Sequence, residues 1–358
     1  MTTSIKKVSS TYPEFYNLTP ILENPQFSTL LDAKSISEHL PNNSGFRKFA
    51  LEKCEAEMLA VRKLYELVFN DRTWYRINKL DNCRTAAYFM RHKETGQVRV
   101  ASRSCHIRFC PLCSAARGNY IRHRTKEWLE SVAEPKFITF TLKHSDEFLH
   151  NQIKKLYDCF KKIRRHKLFT KALRGGIWFF QIKKSNSDQL WHPHIHFIAD
   201  CKFISARKIS KAWKELTEDS SIIDIRQVKD AGKAADYVAR YAVTPCKIAG
   251  LNENDAQELY YALQGRRLSG TVGNAFKAKI MAKPKFEGSQ WEKLFSFSII
   301  EKLRHDDDAA AAIWKSWHLS QPLEKDIDIS HLVILQIRSG SPPPPPKSNS
   351  TSQYYIEF

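Results

Sequence analysis

The stretch Trp191-His192-Pro193-His194-Ile195-His196-Phe197-Ile198 constrains the fold more than any other part of the chain. It alternates with the period of a β-strand, in which side chains i and i+2 leave by the same face. His194 and His196 therefore point one way, while Ile195, Phe197 and Ile198 anchor the strand in a core. A strand with a buried face needs neighbours. Phe137-Ile138-Thr139-Phe140-Thr141-Leu142 and Ile177-Trp178-Phe179-Phe180-Gln181-Ile182 are rich in strand formers, and residues 222–228 read as a further strand. Residues 147–172, 205–217 and 231–243 carry helical patterns, Gly175-Gly176 ends the first of them, and Ser185-Asn186-Ser187-Asp188 reads as a turn. The resulting order, β-α-β-β-α-β-α, predicts an α+β fold in which helices cover one face of an antiparallel sheet.

Outside this core the pattern is less regular. Residues 1–45 carry Pro, Asn and Ser without sustained periodicity and are expected to form a loose arm. From Gly45 to Phe69, Leu51, Met58, Leu59, Val61, Leu64 and Val68 recur at helical spacing. A helix from Ser114 to about Ala133 carries Arg117, Arg122, Arg124 and Lys126. Residues 255–264 and 290–317 read as helical, with Arg266-Arg267-Leu268-Ser269-Gly270 and Gly273 as a basic loop between them. Ser341 to Pro346 and the Ser/Asn run that follows are expected to be extended and disordered.

No apolar run approaches the length of a membrane span, and the first residues lack a signal peptide's apolar centre. A soluble cytoplasmic protein with no membrane partner is the expectation. The net charge of +19, from 57 Lys and Arg against 38 Asp and Glu, suits a polyanionic partner such as nucleic acid. The helix at 147–172 concentrates this charge, and Lys161, Lys162, Arg164 and Arg165 are its candidates for DNA contact.

Cysteines crowd into Cys105-x4-Cys110-Pro111-Leu112-Cys113, with Cys83 upstream. Four thiolates suit a closed tetrahedral zinc site, and the C-x2-C knuckle lets two sulfurs reach one ion. His106 or His92 could replace one cysteine, and buried free thiols are the plainer alternative. Zinc here would be structural, holding an otherwise coreless segment from Cys83 to Cys113 and presenting Arg103, Arg108 and Arg117 to phosphates. Cys54, Cys159, Cys201 and Cys246 sit in apolar or helical surroundings and read as packing residues.

His194 and His196 on one strand face make the start of a divalent-metal site. Gln181 or His192 is the third ligand, and so few protein ligands leave room for water and a substrate phosphate. Nitrogen and amide-oxygen donors are compatible with Mn²⁺ or Mg²⁺. Downstream, Asp236-Tyr237-Val238-Ala239-Arg240-Tyr241 puts two tyrosines four apart on one helix face. Tyrosines at that spacing commonly stack in a core, but Asp236 and Arg240 give these polar company. A free phenol is ionised only to roughly one part in a thousand at neutral pH, so a tyrosine nucleophile needs cations or a base nearby. Lys233, Arg240 and a metal can supply the positive charge.

Together these residues resemble the HUH endonucleases, and most closely the replication initiators of rolling-circle plasmids. Phe137 to Leu142 resembles the family's first motif, His194-Ile195-His196 its metal-binding motif, and Tyr237 to Tyr241 its catalytic tyrosine helix. The cysteine run, with Arg108 before Cys110-Pro111, resembles its upstream module, and Arg267 and Gly273 stand where the family often has Arg and Gly. The resemblance covers roughly residues 80–280 and implies an RRM-like or ferredoxin-like core. It implies His194 and His196 as metal ligands, Tyr241 as nucleophile, Arg240 beside it, and Arg267 as a further DNA contact. Tyr237 stands where many relatives carry glutamate, which resembles the two-tyrosine initiators of small phages and some transposases.

The implied activity is nicking and rejoining of one DNA strand at a plasmid origin, on a single-stranded segment, through a 5′-phosphotyrosine. Host helicase and polymerase are the implied further partners. The implied organisation is an arm at 1–45, a helical and zinc-binding module at 46–133, a nickase core at 134–250, an accessory region at 251–335 and a disordered tail at 336–358. The rival readings are a single-strand transposase of the same superfamily and a non-catalytic zinc-containing nucleic-acid binder.

Overall fold

The computed structural model describes residues 45–332 except 53, 186–187, 283–287, 325–326 and 330, together with Tyr354–Ile356. All of the expected arm at 1–45 except Gly45, part of the turn at 185–188 and nearly all of the tail lie outside the described residues. Helices α1 (Gly45–Leu51), α2 (Glu55–Leu67) and α3 (Asp71–Asp81) lead into the hairpin of β1 (Ala87–His92) and β2 (Val98–Arg103). Then come α4 (Pro111–Glu130), β3 (Pro135–Thr141), α5 (Leu149–Arg165), α6 (Lys167–Thr170), β4 (Leu173–Lys184), β5 (Trp191–Cys201), α7 (Ala206–Thr217), β6 (Ile223–Gln227) and α8 (Ala231–Tyr241). The chain continues through α9 (Glu253–Ala262), β7 (Ser269–Gly273), α10 (Asn274–Lys277), β8 (Trp291–Ser296), α11 (Phe297–Leu303), α12 (Asp308–His318) and β9 (Tyr354–Ile356).

The main sheet runs β6-β3-β5-β4-β7, every neighbour antiparallel. Its first four strands with α5 and α7 form a β-α-β-β-α-β unit of ferredoxin-like order, as the sequence pattern predicts. The histidine strand β5 lies at the centre of the sheet and is buried nearly throughout. One face packs Ile138, Phe140, Phe180, Ile195 and Phe197 against α5, α7 and α9. The other packs Ile177, Phe179 and Ile198 against Ile121 and Trp128 of α4 and Val238 of α8. Both faces are thus covered, where the sequence predicts helices on one.

A second sheet, β8-β1-β2-β9, has its own core, in which Phe46, Phe89 and Phe297 pack with Trp314 and Trp317 of α12. This core accounts for several departures from expectation. The helix expected over 45–69 breaks after Leu51, because Phe46 serves the second core while Leu51, Met58, Val61 and Leu64 serve the first. The segment expected to be irregular between Cys83 and Cys113 contains the β1–β2 hairpin. Residues 290–317, expected to be helical throughout, begin with β8, which pairs with β1. Tyr354–Ile356, the described part of the expected tail, pairs with β2. The long helix expected over 147–172 restarts at His166, which turns extended and accepts the Leu168 N–H on its ring.

The glycines read as a helix end, Gly175 and Gly176, lie inside β4, which is longer than expected. A β-carbon at Gly176 would stand 2.5 Å from the Ile198 carbonyl oxygen and from the Phe197 ring. The loop expected after Arg267 forms edge strand β7, where Gly270 lets the Trp178 ring lie against the backbone. Gly273 ends that strand at φ +57°, with a β-carbon there aimed into the Arg174 carbonyl. Among the described residues no helix is long and apolar enough to cross a membrane.

Gly273→Ala should cost at least about 2 kcal/mol, combining left-handed strain with a backbone clash. Gly265 has φ +69° but open space around it, so Gly265→Ala should cost only about 1 kcal/mol. Urea unfolding of both variants checks the contrast, and equal losses would overturn it.

Candidate active site and cysteine centre

Strand pairing assembles the metal-type donors. Gln181 of β4 lies opposite His194 of β5, and Thr139 of β3 lies opposite His196. Gln181 Oε1 stands 2.7 Å from His194 Nε2 and 2.7 Å from His196 Nε2. The two rings are 4.7 Å apart and perpendicular, and both Nε2 atoms face the same amide oxygen. His194 Nδ1 is 3.1 Å from the His192 carbonyl oxygen. A carbonyl only accepts, so the proton sits on Nδ1 and Nε2 presents its lone pair. His196 Nδ1 contacts Thr139 Oγ1 at 3.0 Å, which orients the second ring in the way outer partners orient metal-binding imidazoles. Two imidazole nitrogens and an amide oxygen fit a divalent cation with open positions. The His192 ring instead lies 4.4 Å from the His144 ring, whose Nδ1 meets Asp188 Oδ2 at 2.9 Å.

Burial is the main reason both histidines resist protonation, pushing His194 down to about 4 and His196 to about 3. Neutral imidazole is the form that binds metal.

Helix α8 brings both tyrosines to these donors. Asp230 caps it by accepting the Lys233 N–H, and Ala235 and Val238 anchor its buried face. Tyr237 Oη lies 3.3 Å from His196 Nε2, and its ring packs edge-on against Phe137. Burial, and then the neighbouring Tyr241, raises the Tyr237 phenol above its usual range, while Arg240 and Arg226 oppose that rise. Tyr241 stacks parallel to Phe179 at 6.5 Å and lies 4.9 Å from the Tyr237 ring. The Arg240 guanidinium sits 5.8 Å from the Tyr241 ring. Tyr241, Arg240 and Gln181 help line a groove of about 1580 Å³ that is also lined by residues of α4, α8 and the segment 244–252.

The basic-helix candidates lie elsewhere. Helix α5 packs on the sheet face opposite the tyrosines, so Lys161, Lys162, Arg164 and Arg165 are separated from the site by the sheet. Lys161, Lys162 and Arg165 are exposed, whereas Arg164 lies over the Phe160 ring at 4.8 Å. Arg267 is exposed on the same side, its carbonyl accepting from Tyr157 of α5.

The four cysteines come together. Cys83–Cys113, Cys105–Cys113 and Cys110–Cys83 sulfurs are 3.6, 3.6 and 3.7 Å apart. Sulfurs at the corners of a zinc tetrahedron with bonds of about 2.3 Å lie about 3.8 Å apart, so the spacing fits one zinc ion. It is far too long for a disulfide. Hydrogen bonds from the Cys105, Cys110 and Cys83 thiols hold Cys113 well below the usual thiol range, and the buried Arg84 adds to this. The ligand atoms lie within 4.8 Å of one another, so Cys83, Cys105, Cys110 and Cys113 could hold a metal without help from His92 or His106.

The centre also bears on the tyrosines. Cys110 caps α4 and Cys113 lies in its first turn. Further along α4, Gly118 meets α8 so closely that a β-carbon there would stand 2.9 Å from the Ala239 carbonyl oxygen.

A family model described as a replication protein matches residues 97–321, which include the centre's last three cysteines, the histidine strand and both tyrosines. The chain belongs to this family of replication proteins. A "Protein rep" of Streptococcus pneumoniae serotype 2 is 25% identical over 225 residues, covering 56% of this chain and 70% of the relative. A "Protein rep" of a Bacillus species is 25% identical over 44% of this chain and 57% of its own length. One from Lactiplantibacillus plantarum is 29% identical over 46% of this chain and 61% of its own. No solved structure gives a significant match.

In this replication protein, sequence reasoning misses Thr139 as a partner of His196, and it misses the Phe137 and Phe179 rings that hold the tyrosines. Their signal is register: each lies on β3 or β4 on the His194 and His196 side of the sheet.

The depressed histidines predict a pH dependence. Their folded-state pKa lies below the unfolded value of about 6.5, so the unfolded chain takes up protons first. The stability they contribute is full above that value and is lost as pH falls toward about 4 and about 3. Urea midpoints of chelator-treated protein should drop between neutral and mildly acidic pH, and a double variant with His194→Gln and His196→Gln should lose most of that drop. The cysteine centre should carry one zinc per chain by elemental analysis, and Cys110→Ser should lower Tm by about 10 °C or more.

Proposed function

We propose that this replication protein is a rolling-circle initiator that nicks and rejoins one DNA strand at a plasmid origin through a 5′-phosphotyrosine intermediate. The convergence of Gln181 Oε1 and Tyr237 Oη on the His194 and His196 pair carries this reading. Four side chains from three elements, two of them neutral imidazoles, meeting at one place are more than a packed core requires. Family membership supplies the replication context.

A divalent ion held by His194, His196 and Gln181, Mn²⁺ or Mg²⁺, would supply Lewis-acid polarisation of the scissile phosphate. Tyr241 is the first nucleophile, because it lines the groove through which a strand can reach the site. Its Oη forms a bond to phosphorus, the bond to the 3′ oxygen breaks, the phenol proton is lost and the leaving oxygen takes one up. The products are a 5′-phosphotyrosine and a free 3′-OH, which host polymerase extends as a helicase opens the duplex. Tyr237, held against His196 and with its phenol raised, serves the second cleavage that ends a round. Arg240 stabilises negative charge beside Tyr241. The thiolate centre is a structural zinc site. Residues 134–250 make up the nickase core, and the exposed basic residues of α5, with Arg267, contact duplex outside the site. The protein acts in the cytoplasm.

The test is nicking of a supercoiled plasmid carrying the origin, with Mn²⁺. Tyr241→Phe should lower nicking by at least about a thousandfold, as removal of a nucleophile does. Tyr237→Phe should keep the first nick but fail to release closed circles. Mass spectrometry of the DNA-linked peptide identifies the attacking residue. Unaltered nicking by Tyr241→Phe would overturn the nucleophile, and unaltered nicking by the His194→Ala, His196→Ala double variant would overturn the metal site.

A further inference from the structure

The rim of the site carries a cation that the reaction as described does not use. Lys183 of β4 is two residues beyond Gln181 and pairs across the sheet with His192. Period-two alternation puts its side chain on the same face as Gln181, His194 and His196. It is exposed, and it lines the groove that also holds Tyr241 and Arg240. Its neighbour Lys184 points to the other face and pairs with Asp255. Lys183 makes no such ion pair with the described residues.

This placement is electrostatically awkward. A cation-binding pair of histidines with an ammonium on its rim works against itself, because like charges repel. His192 lies directly opposite Lys183, and His194 and His196 follow it on the same strand face, so three imidazoles line the rim beside this ammonium. The same repulsion weakens a divalent ion held by His194 and His196. It is relieved only when an anion lies between the ammonium and the ion.

We propose that Lys183 forms, with the mouth of the groove, a phosphate seat that takes a phosphodiester of the single strand at or next to the scissile one. The inference rests on the nicking reading for its substrate. Lys183 then has opposite effects on the two ligands: it disfavours the free metal complex and favours the strand. Metal and strand each bind better once the other is present. A lysine serving only solubility would move neither affinity, and a lysine serving only stability would not move them in opposite directions.

The experiment uses the full chain and two probes, a mixed-sequence single-stranded oligonucleotide in chelator and Mn²⁺ alone. Lys183→Gln should weaken oligonucleotide binding several-fold and flatten the plot of log affinity against log salt by about 0.7, one phosphate contact on a single strand. The same variant should bind Mn²⁺ several-fold more tightly in the absence of DNA, measured by the loss of the free-ion signal in electron paramagnetic resonance. Lys183→Arg should keep both wild-type values, and Lys211→Gln, an exposed position on α7 across the sheet, should change neither. An unchanged salt slope, or Mn²⁺ affinity that is unchanged or weaker, in folded Lys183→Gln overturns the seat. If the wild-type protein binds Mn²⁺ no better than the His194→Ala, His196→Ala double variant, the metal reading itself fails, which is a separate result.

Discussion

A one-residue slip of β5 against its neighbours would send His194 and His196 to the opposite face of the sheet, away from both tyrosines. The site therefore depends on the register that sets His194 opposite Gln181 and His196 opposite Thr139. That register is held by apolar packing on both faces. Ile195 and Phe197 are locked against α5 and α7 on one side, and Ile198 against α4 and α8 on the other. A half-buried strand could shift at modest cost, but a strand buried on both faces cannot. The donor geometry thus gets its precision from apolar residues outside the donor set.

The tyrosines depend on a second constraint, the closeness of α4 and α8. Gly118 lets the helices meet almost backbone to backbone at Ala239, midway between Tyr237 and Tyr241. Helix α4 is fixed at its start by Cys110 and Cys113, which share one sulfur cluster with Cys83 and Cys105. Asn274 reinforces the far end, accepting from Trp128 of α4 and donating to the buried Asp200 of β5. The cysteine centre is therefore one end of a strut, and the tyrosine helix leans on its middle.

What could be read in the chain follows the range of the interactions. The histidine strand, the tyrosine helix and the β-α-β-β-α-β-α order are written in local periodicity, so they are legible. The cysteine centre is legible because its spacing is local apart from Cys83. The second sheet is not, because β1 finds its partner β8 some two hundred residues away, as in Arg91 opposite Glu292. The Gly175-Gly176 pair misleads for the same reason. Its glycines serve close contact with Phe197 and Asn274, which only the folded sheet brings near. Thr139 and Lys183 are ordinary residues in sequence and acquire meaning only from the strand beside them.

The two phenols are 4.9 Å apart, ring to ring, in a half-buried setting with Arg240 close by. At that distance ionising one opposes ionising the other, and Tyr241 is already among the causes that raise Tyr237. One guanidinium can favour one phenolate, not two. Their surroundings differ as well, since Tyr237 is held against His196 and Phe137 while Tyr241 lines the groove. Two phenols so arranged disfavour being ionised together. A negative charge on one ring opposes a second on its neighbour at that distance, so any use of both is favoured in succession, with the first discharged or bonded to phosphorus before the second is drawn on.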